Sequence, residues 1–233
     1  MKVVILCGGL GSRLSEETRL KPKPMVKIGK LPILVHIMKI YSKFGYKDFI
    51  LALGYKKKVI IEFFKKSSFY DWNIQFVDTG KTTLTGNRLL KLKKYLKDSE
   101  HFFLTYGDGL SNINLNKLLI FHKQNNKIAT LTAVRPPARF GQLNINKKNE
   151  VTKFEEKNQI NEGWINGGFF VFDKKIFNYL PKKQSMLERE PINRLTNENQ
   201  LSAFKHYGFW QCMDTLRDKE LLNKIWKLKK NQW

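Results

Sequence analysis

Four short stretches of this chain carry residues whose types and spacing suit chemistry on phosphates. Leu6-Cys-Gly-Gly-Leu-Gly-Ser-Arg-Leu14 places glycines just beyond an apolar run, where small residues let backbone N–H groups come close to an anion. In Lys21-Pro-Lys-Pro-Met25, each proline fixes its own φ and pushes the residue before it toward extended backbone, so Lys21 and Lys23 are expected on stiff chain. Cations positioned in advance are what a phosphoryl-transfer transition state demands. Tyr106-Gly-Asp-Gly109 sets Asp108 between glycines, a ligand type for Mg²⁺, which takes one or two carboxylates plus substrate phosphates. Asp214, in Met213-Asp-Thr215 after the aromatic Gly208-Phe-Trp210, is a second candidate for the same ion.

Each stretch also has a plainer reading, as a tight turn, a proline-rich loop with solvated lysines, or an Asp-Gly turn. The dinucleotide fingerprint fails because Leu14 stands where a third glycine is required, and no G-x-x-x-x-G-K phosphate loop occurs. His36, His101, His122 and His206 show no metal-ligand spacing, and His36 lies in a helical apolar pattern that marks it as structural. No G-x-S-x-G elbow supports a nucleophilic triad. Cys7 and Cys212 stand far apart and in no C-x-x-C pattern, which argues against a disulfide framework or zinc site and fits a cytoplasmic location.

The elements that must position these residues follow from the apolar pattern. Val3–Leu6, Phe49–Leu53, Ile74–Val77 and Phe102–Leu104 are short apolar runs bounded by turn residues, expected as buried parallel strands. Between them, helices are expected over Pro32–Phe44, with Gly45 as a C-cap, and over Val59–Phe64 and Arg88–Leu96; another is expected over Leu115–His122 behind Asn112 or Asn114. This alternation predicts an α/β fold with a doubly wound sheet. From Ile128 the pattern changes: a strand over Ala129–Val134, a hairpin over Leu143–Phe154 turning at Lys147–Glu150, a strand over Phe169–Phe172, and a closing helix over Asp218–Lys229. With 233 residues and no linker or repeat, one domain over 1–233 is expected.

Lysine and arginine number 43 against 20 acidic residues, a formal charge of +23. That balance suits anionic substrates or nucleic acid, but no recognition-helix or RNA-binding motif accompanies it. The lysines fall mostly where solvated faces are expected. Neither a nucleic-acid partner nor a membrane is expected, since no apolar run approaches the roughly 20 residues needed to cross a bilayer.

Together, Gly8–Leu14, Lys21–Met25, Tyr106–Gly109, Phe154-Glu-Glu-Lys157, Ile165-Asn-Gly-Gly168 and Gly208–Thr215 resemble the sugar-1-phosphate nucleotidylyltransferases, in that family's order and through nearly the whole chain. Val77-Asp-Thr-Gly80, Thr85-Gly-Asn-Arg-Leu89, Arg139-Phe-Gly141 and Trp210–Thr215 narrow the resemblance to a branch that uses CTP. The resemblance implies a Rossmann-like doubly wound mixed, mostly parallel sheet of the nucleotide-diphospho-sugar transferase type. Residues 1–127 would form mainly the nucleotide-binding half, and 128–233 mainly the sugar-binding half and C-terminal helix. The implied reaction joins CTP and α-D-glucose 1-phosphate into CDP-glucose and pyrophosphate, with Mg²⁺ as cofactor. A phosphate monoester has its second pKa near 6 and is already an anionic nucleophile at neutral pH, so the reaction needs no general base.

Carried over position by position, the resemblance implies that Leu6, Cys7, Gly8, Gly9, Leu10, Gly11, Ser12 and Arg13 wrap the nucleotide. Arg13 on the triphosphate and Lys23 near the reacting α-phosphate would be catalytic. Thr83, Arg88 and Gly107 would complete the nucleotide site, close to a pocket made by Asp78, Thr79 and Gly80. Asp108 and Asp214 would hold Mg²⁺. Lys157 would bind the sugar phosphate, while Gly141, Glu156 and Asn166 address the sugar. Cys7 replaces the usual alanine, and Asn158 and Cys212 replace common prolines. A homo-oligomer is the family expectation, although the stretch between Phe63 and Trp72, where members contact neighbouring subunits, is shorter here.

Overall fold

A computed structural model describes residues 1–67, 71–136, 142–155, 163–228 and 233. The chain opens with strand β1 (Lys2–Cys7), a single turn α1 (Ser15–Thr18), a miniature hairpin of β2 (Lys27–Ile28) and β3 (Leu31–Pro32), and helix α2 (Ile33–Ser42). Next come β4 (Asp48–Leu53), α3 (Lys57–Lys66), β5 (Asn73–Asp78), α4 (Thr85–Lys91) and β6 (His101–Tyr106). β7 (Gly109–Ser111), α5 (Leu115–Asn125) and β8 (Ala129–Val134) lead to a hairpin of β9 (Gln142–Ile145) and β10 (Val151–Glu155). β11 (Ile165–Asp173), α6 (Glu190–Asn197), β12 (Leu201–His206), β13 (Trp210–Cys212) and α7 (Leu216–Lys227) follow.

Seven strands form one mixed sheet in the order β12-β8-β11-β6-β1-β4-β5. Only β11 runs against its neighbours; the β1–β4, β1–β6, β4–β5 and β8–β12 pairs are parallel. The carboxyl ends of six strands therefore share one edge, and β11 begins at that edge. The two-residue period of a strand sends alternate side chains to opposite faces. Val3, Ile5, Phe103 and Phe169 pack with α2, α3, α5 and α7 on one face, while Val4, Leu6, Phe102, Leu104 and Phe170 pack with α4 and α6 on the other. Covering both faces explains why β1, β4 and β6 read as continuous apolar runs rather than alternating ones; β5, expected to be buried, is instead the sheet's edge, with Val77 its one buried residue.

Departures from the sequence pattern are local. The helix expected over Arg88–Leu96 lies at Thr85–Lys91 and gives way to a 3₁₀ turn at Lys93–Tyr95. α6 and β12 have no counterpart among the expected elements: α6 is short and carries Pro191 near its start, and β12 is a partly exposed edge strand. Lys23 does not lie on extended backbone; Lys23–Met25 is a 3₁₀ turn, with Val26 N donating to the Lys23 carbonyl at 3.0 Å. Pro24 is tolerated there because the first turn of a helix needs no N–H donor. His36 is structural, its Nε2 within 2.9 Å of the Ile28 carbonyl and its Nδ1 accepting from Trp233 Nε1 at 3.2 Å.

The packing of α5 on β8 sets a pH dependence. His122 is buried, with Nδ1 2.8 Å from Thr130 Oγ1, and burial, with the neighbouring His101 adding to it, holds its pKa down at about 4. An unfolded histidine titrates near 6.5. The neutral ring therefore contributes stability that is complete above pH 6.5 and is lost as pH falls toward 4, on the order of 3 kcal/mol. Urea unfolding across pH 7.5 to 4 is expected to show a shallower loss in His122→Gln than in the parent; parallel slopes would refute the assignment.

Candidate active site

β1 lies between β4 and β6, with β4 and β5 on one side of it and β6 on the other. Such a point, where the strand order reverses, opens a crevice beyond the carboxyl ends. A cleft of about 1190 Å³ occupies that edge. Leu6, Cys7, Gly8, Gly9, Gly11, Ser12, Arg13, Lys23, Thr83, Arg88, Gly107, Asp108, Asn166 and Asp214 all line it. Leu10 does not, and is half exposed. Asp78, Thr79 and Gly80 lie behind the cleft wall, where Asp78 pairs with Lys57 and the Thr79 hydroxyl donates to the Leu53 carbonyl at 2.7 Å. Gly141, Glu156 and Lys157 fall outside the described residues.

Lys23 joins the two carboxylates at the centre of the cleft. Its Nζ donates to Asp108 Oδ2 at 2.6 Å and to Asp214 Oδ1 at 2.5 Å, with the lysine side chain only 12% exposed. Burial disfavours the ammonium, but the two carboxylates outweigh it and hold the Lys23 pKa above the ordinary lysine value. Arg13 donates to the other Asp214 oxygen at 2.8 Å and leaves most of its guanidinium exposed. Lys21 is directed elsewhere, to Glu17 at 3.1 Å.

Local structure fixes the carboxylates. β7 and β13 pair antiparallel from Gly109↔Cys212 to Ser111↔Trp210, and Met213 N donates to the Asp108 carbonyl at 2.9 Å. Asp108 and Asp214 flank the end of this ribbon and so meet despite their separation in sequence. Asp218 then locks the turn: its Oδ2 accepts from the backbone N–H groups of Asp214 and Thr215 at 3.0 and 2.8 Å, within a capping box that starts α7.

Arg88 ties together the segments that follow β1, β4 and β5. Its buried guanidinium donates to the carbonyls of Gly8 (2.8 Å), Leu53 (3.2 Å), Gly80 (2.7 Å) and Lys81 (3.2 Å) and to Thr79 Oγ1 (2.6 Å). Three segments, after β1, β4 and β5, thus converge on one cation. A Cβ at Gly8 would collide with that guanidinium, which explains a glycine there. Thr83 donates to the Thr79 carbonyl at 2.6 Å.

On the other side, β11 enters through an irregularity between Asn166 and Phe170. Gly168 adopts φ +77°, its N–H donates to Asn166 Oδ1 at 2.9 Å, and a Cβ there would meet the Tyr106 ring at 2.6 Å. Trp210 Nε1 donates to the Gly167 carbonyl at 2.7 Å. Glu188, Arg217 and Asp218 line the cleft without having been singled out from sequence, and Thr85, Trp210 and Gln211, quoted there only as members of motifs, line it too. No residue pattern flags Glu188; only Asp218 had a local signal, three residues after Thr215 as in a capping box.

The sequence profile of the Nucleotidyl transferase family matches residues 2–218. The chain belongs to this family. Among curated relatives, glucose-1-phosphate cytidylyltransferase of Salmonella typhimurium and that of Salmonella typhi are each 45% identical, covering 100% of this chain and 98% of theirs. Each alignment spans 254 positions against 233 residues here, so this nucleotidyltransferase is the shorter chain. Among solved structures, HddC from Yersinia pseudotuberculosis superposes with a TM-score of 0.77 at 25% identity, over 97% of this chain and 99% of that one.

Neither cysteine of this nucleotidyltransferase sits where a thiolate is favoured. Burial raises the Cys7 thiol well above its ordinary pKa, and burial with Asp214 pushes Cys212 up to about 12; both stay protonated at neutral pH. The cleft instead offers the glycine loop, the cations Arg13, Lys23, Arg88 and Arg217, and the Asp108–Asp214 carboxylate pair. Arg88→Lys keeps the charge but cannot span three segments. It is expected to lower stability by about 1–3 kcal/mol and to raise KM for the nucleotide about tenfold, with KM for the sugar phosphate little changed. Steady-state kinetics with thermal melts check this, and equal shifts in both KM values would contradict it.

Proposed function

We propose that this nucleotidyltransferase transfers the cytidylyl group of CTP to the phosphate of α-D-glucose 1-phosphate, releasing pyrophosphate and CDP-glucose. The observation that carries the reading is the meeting of Lys23, Arg13, Asp108 and Asp214 beside the glycine loop of β1. Identity of 45% to cytidylyltransferases over the whole chain supports the choice of substrates.

The sugar phosphate arrives as an anion and displaces pyrophosphate at the α-phosphorus, so the protein has to orient two anions and offset their repulsion. Backbone N–H groups of Gly8–Ser12 approach the triphosphate, and Arg13, exposed on its far side, binds the departing phosphates. Lys23 stabilises charge around the α-phosphate. Arg88 acts by holding the Gly8 carbonyl and the loop after β5, while Thr83 closes the nucleotide side and Gly107 keeps the end of β6 low. Asn166 faces the sugar, and Gly141, Glu156 and Lys157 retain the sugar-site roles that the family resemblance gives them.

Asp108 and Asp214 fit Mg²⁺: they already stand together around a cation, Lys23, and would supply carboxylate oxygens to the ion. The Cys212 thiol donates to Asp214 Oδ2 at 3.8 Å, but among the described residues no group of three acidic, His or Cys side chains is arranged to hold a metal, in keeping with an ion that completes its shell with phosphate oxygens and water. When bound, the ion would neutralise phosphate charge and polarise the transferred group. No helix among the described residues is long and apolar enough to cross a membrane.

Pyrophosphate release with glucose 1-phosphate and Mg²⁺, run in parallel with CTP, UTP, dTTP, ATP and GTP, is expected with CTP alone. Release with another nucleotide in preference would reject the reading. Asp108→Asn keeps the shape but is a poor Mg²⁺ ligand; its kcat is expected to fall about 100-fold or more with the melting temperature nearly unchanged, and near-normal turnover would remove Asp108 from the metal site.

A further inference from the structure

The loop before α6 is stitched to the first turn of α4. Asn87 Nδ2 donates to the Pro181 and Lys183 carbonyls at 3.3 and 3.0 Å, and its Oδ1 accepts from Ser185 N at 2.6 Å. Gly86 N donates to the Ser185 carbonyl at 3.2 Å and Leu187 N to Thr85 Oγ1 at 2.9 Å. The stitching delivers Glu188 to the cleft wall. There Thr85 Oγ1 donates to Glu188 Oε2 at 2.6 Å, and the Tyr106 hydroxyl donates to Oε1. Burial, reinforced by Glu188 itself, raises the Tyr106 pKa and keeps the phenol a donor.

Glu188 differs from the other carboxylates of the cleft. Asp108 and Asp214 engage Lys23, and Asp218 caps α7. Glu188 has two neutral hydroxyls as its partners among the described residues. An ionised carboxylate offers about four lone-pair sites, so each oxygen keeps acceptor capacity on a side chain that is exposed in the cleft. A negative group here repels phosphates. Its complement is an uncharged O–H or N–H donor on a bound substrate.

We propose that Glu188 is a specificity-determining residue that accepts a hydrogen bond from a neutral donor of the bound substrates, a sugar or ribose hydroxyl or the exocyclic amine of cytosine. The inference rests on the cytidylyl-transfer reading and adds to it the group that reads an uncharged part of the ligand. Thr85 on the nucleotide side and Tyr106 beside the sugar side hold the carboxylate where both halves of the reaction meet. Once a bound ligand has displaced water from Glu188, losing the donor leaves its spare acceptor capacity unfilled, which is how a site rejects an analogue lacking one hydroxyl or amine.

The test compares kcat/KM in the parent, Glu188→Gln and Glu188→Ala, with melting temperatures recorded. The nucleotides are CTP, UTP, 2′-deoxy-CTP and 3′-deoxy-CTP; the acceptors are glucose 1-phosphate and its 2-, 3-, 4- and 6-deoxy analogues. The parent is expected to discriminate about 10- to 100-fold against one analogue, and that ratio is expected to approach unity in Glu188→Ala and to be only partly lost in Glu188→Gln, whose amide oxygen still accepts, while the other ratios hold. The analogue whose ratio collapses identifies the donor: UTP the amine, a deoxy-CTP the ribose, a deoxy-glucose phosphate the acceptor. A uniform fall across all substrates, as from a residue that only places Tyr106 and Thr85, would overturn the inference, as would no change. No turnover by the parent with CTP and glucose 1-phosphate would instead overturn the cytidylyl-transfer reading and the inference with it.

Discussion

The constraint on which the rest depends is the Lys23 ammonium shared between Asp108 and Asp214. Two carboxylates this close repel each other, and a largely buried cation beside them loses hydration, so the cluster holds only because each member offsets the others. Clusters of this kind contribute little net stability against an apolar replacement. Their value lies in what they bind, and the surrounding architecture follows from keeping the three groups in register. β6 delivers Asp108 at the switch point, the β7–β13 ribbon returns the chain so that Asp214 meets it, and the capping box of α7 fixes the turn. The 3₁₀ turn at Lys23–Met25 brings the lysine in from the other side.

Around this centre the cleft walls are held by polar groups that spend their capacity on backbone. Arg88 serves carbonyls after three strands, Asn87 serves the loop before α6, and Trp210 serves the entrance of β11. Such contacts satisfy buried backbone groups where no regular ladder reaches them. They also make the site rigid before a ligand arrives, which is what catalysis by positioning and electrostatics requires. The sheet beneath supplies the fixed platform, its fully buried Phe102, Phe103, Phe169, Phe170 and Phe172 packing into both faces.

Much of this was legible in the sequence because it is local. Apolar runs located β1, β4, β5 and β6 to within a residue or two, Asn114 capped α5 as expected, and the Lys147–Glu150 turn closed the β9–β10 hairpin. The glycine loop, Lys23, Asp108 and Asp214 were visible as motifs, although only the fold could show that Asp108 and Asp214 meet. The less legible parts depend on long-range contact. Pro24 pointed to extended backbone at Lys23, but closing a turn against Val26 overrode that preference. β12 lacks a clean apolar pattern because it is an edge strand, and Arg88 reads as a substrate-binding cation until its five donated bonds to protein are seen. Glu188 carries no motif, since its place depends on a loop clasped by α4 from about a hundred residues away.

The most direct test of the central claim is anomalous diffraction from crystals grown with Mn²⁺ and a CTP analogue that cannot be cleaved between its α- and β-phosphates. The account predicts a single strong anomalous peak bound by carboxylate oxygens of both Asp108 and Asp214, with Lys23 Nζ turned to the α-phosphate. A nucleotide bound with Lys23 still bridging the two carboxylates and no metal between them would contradict it.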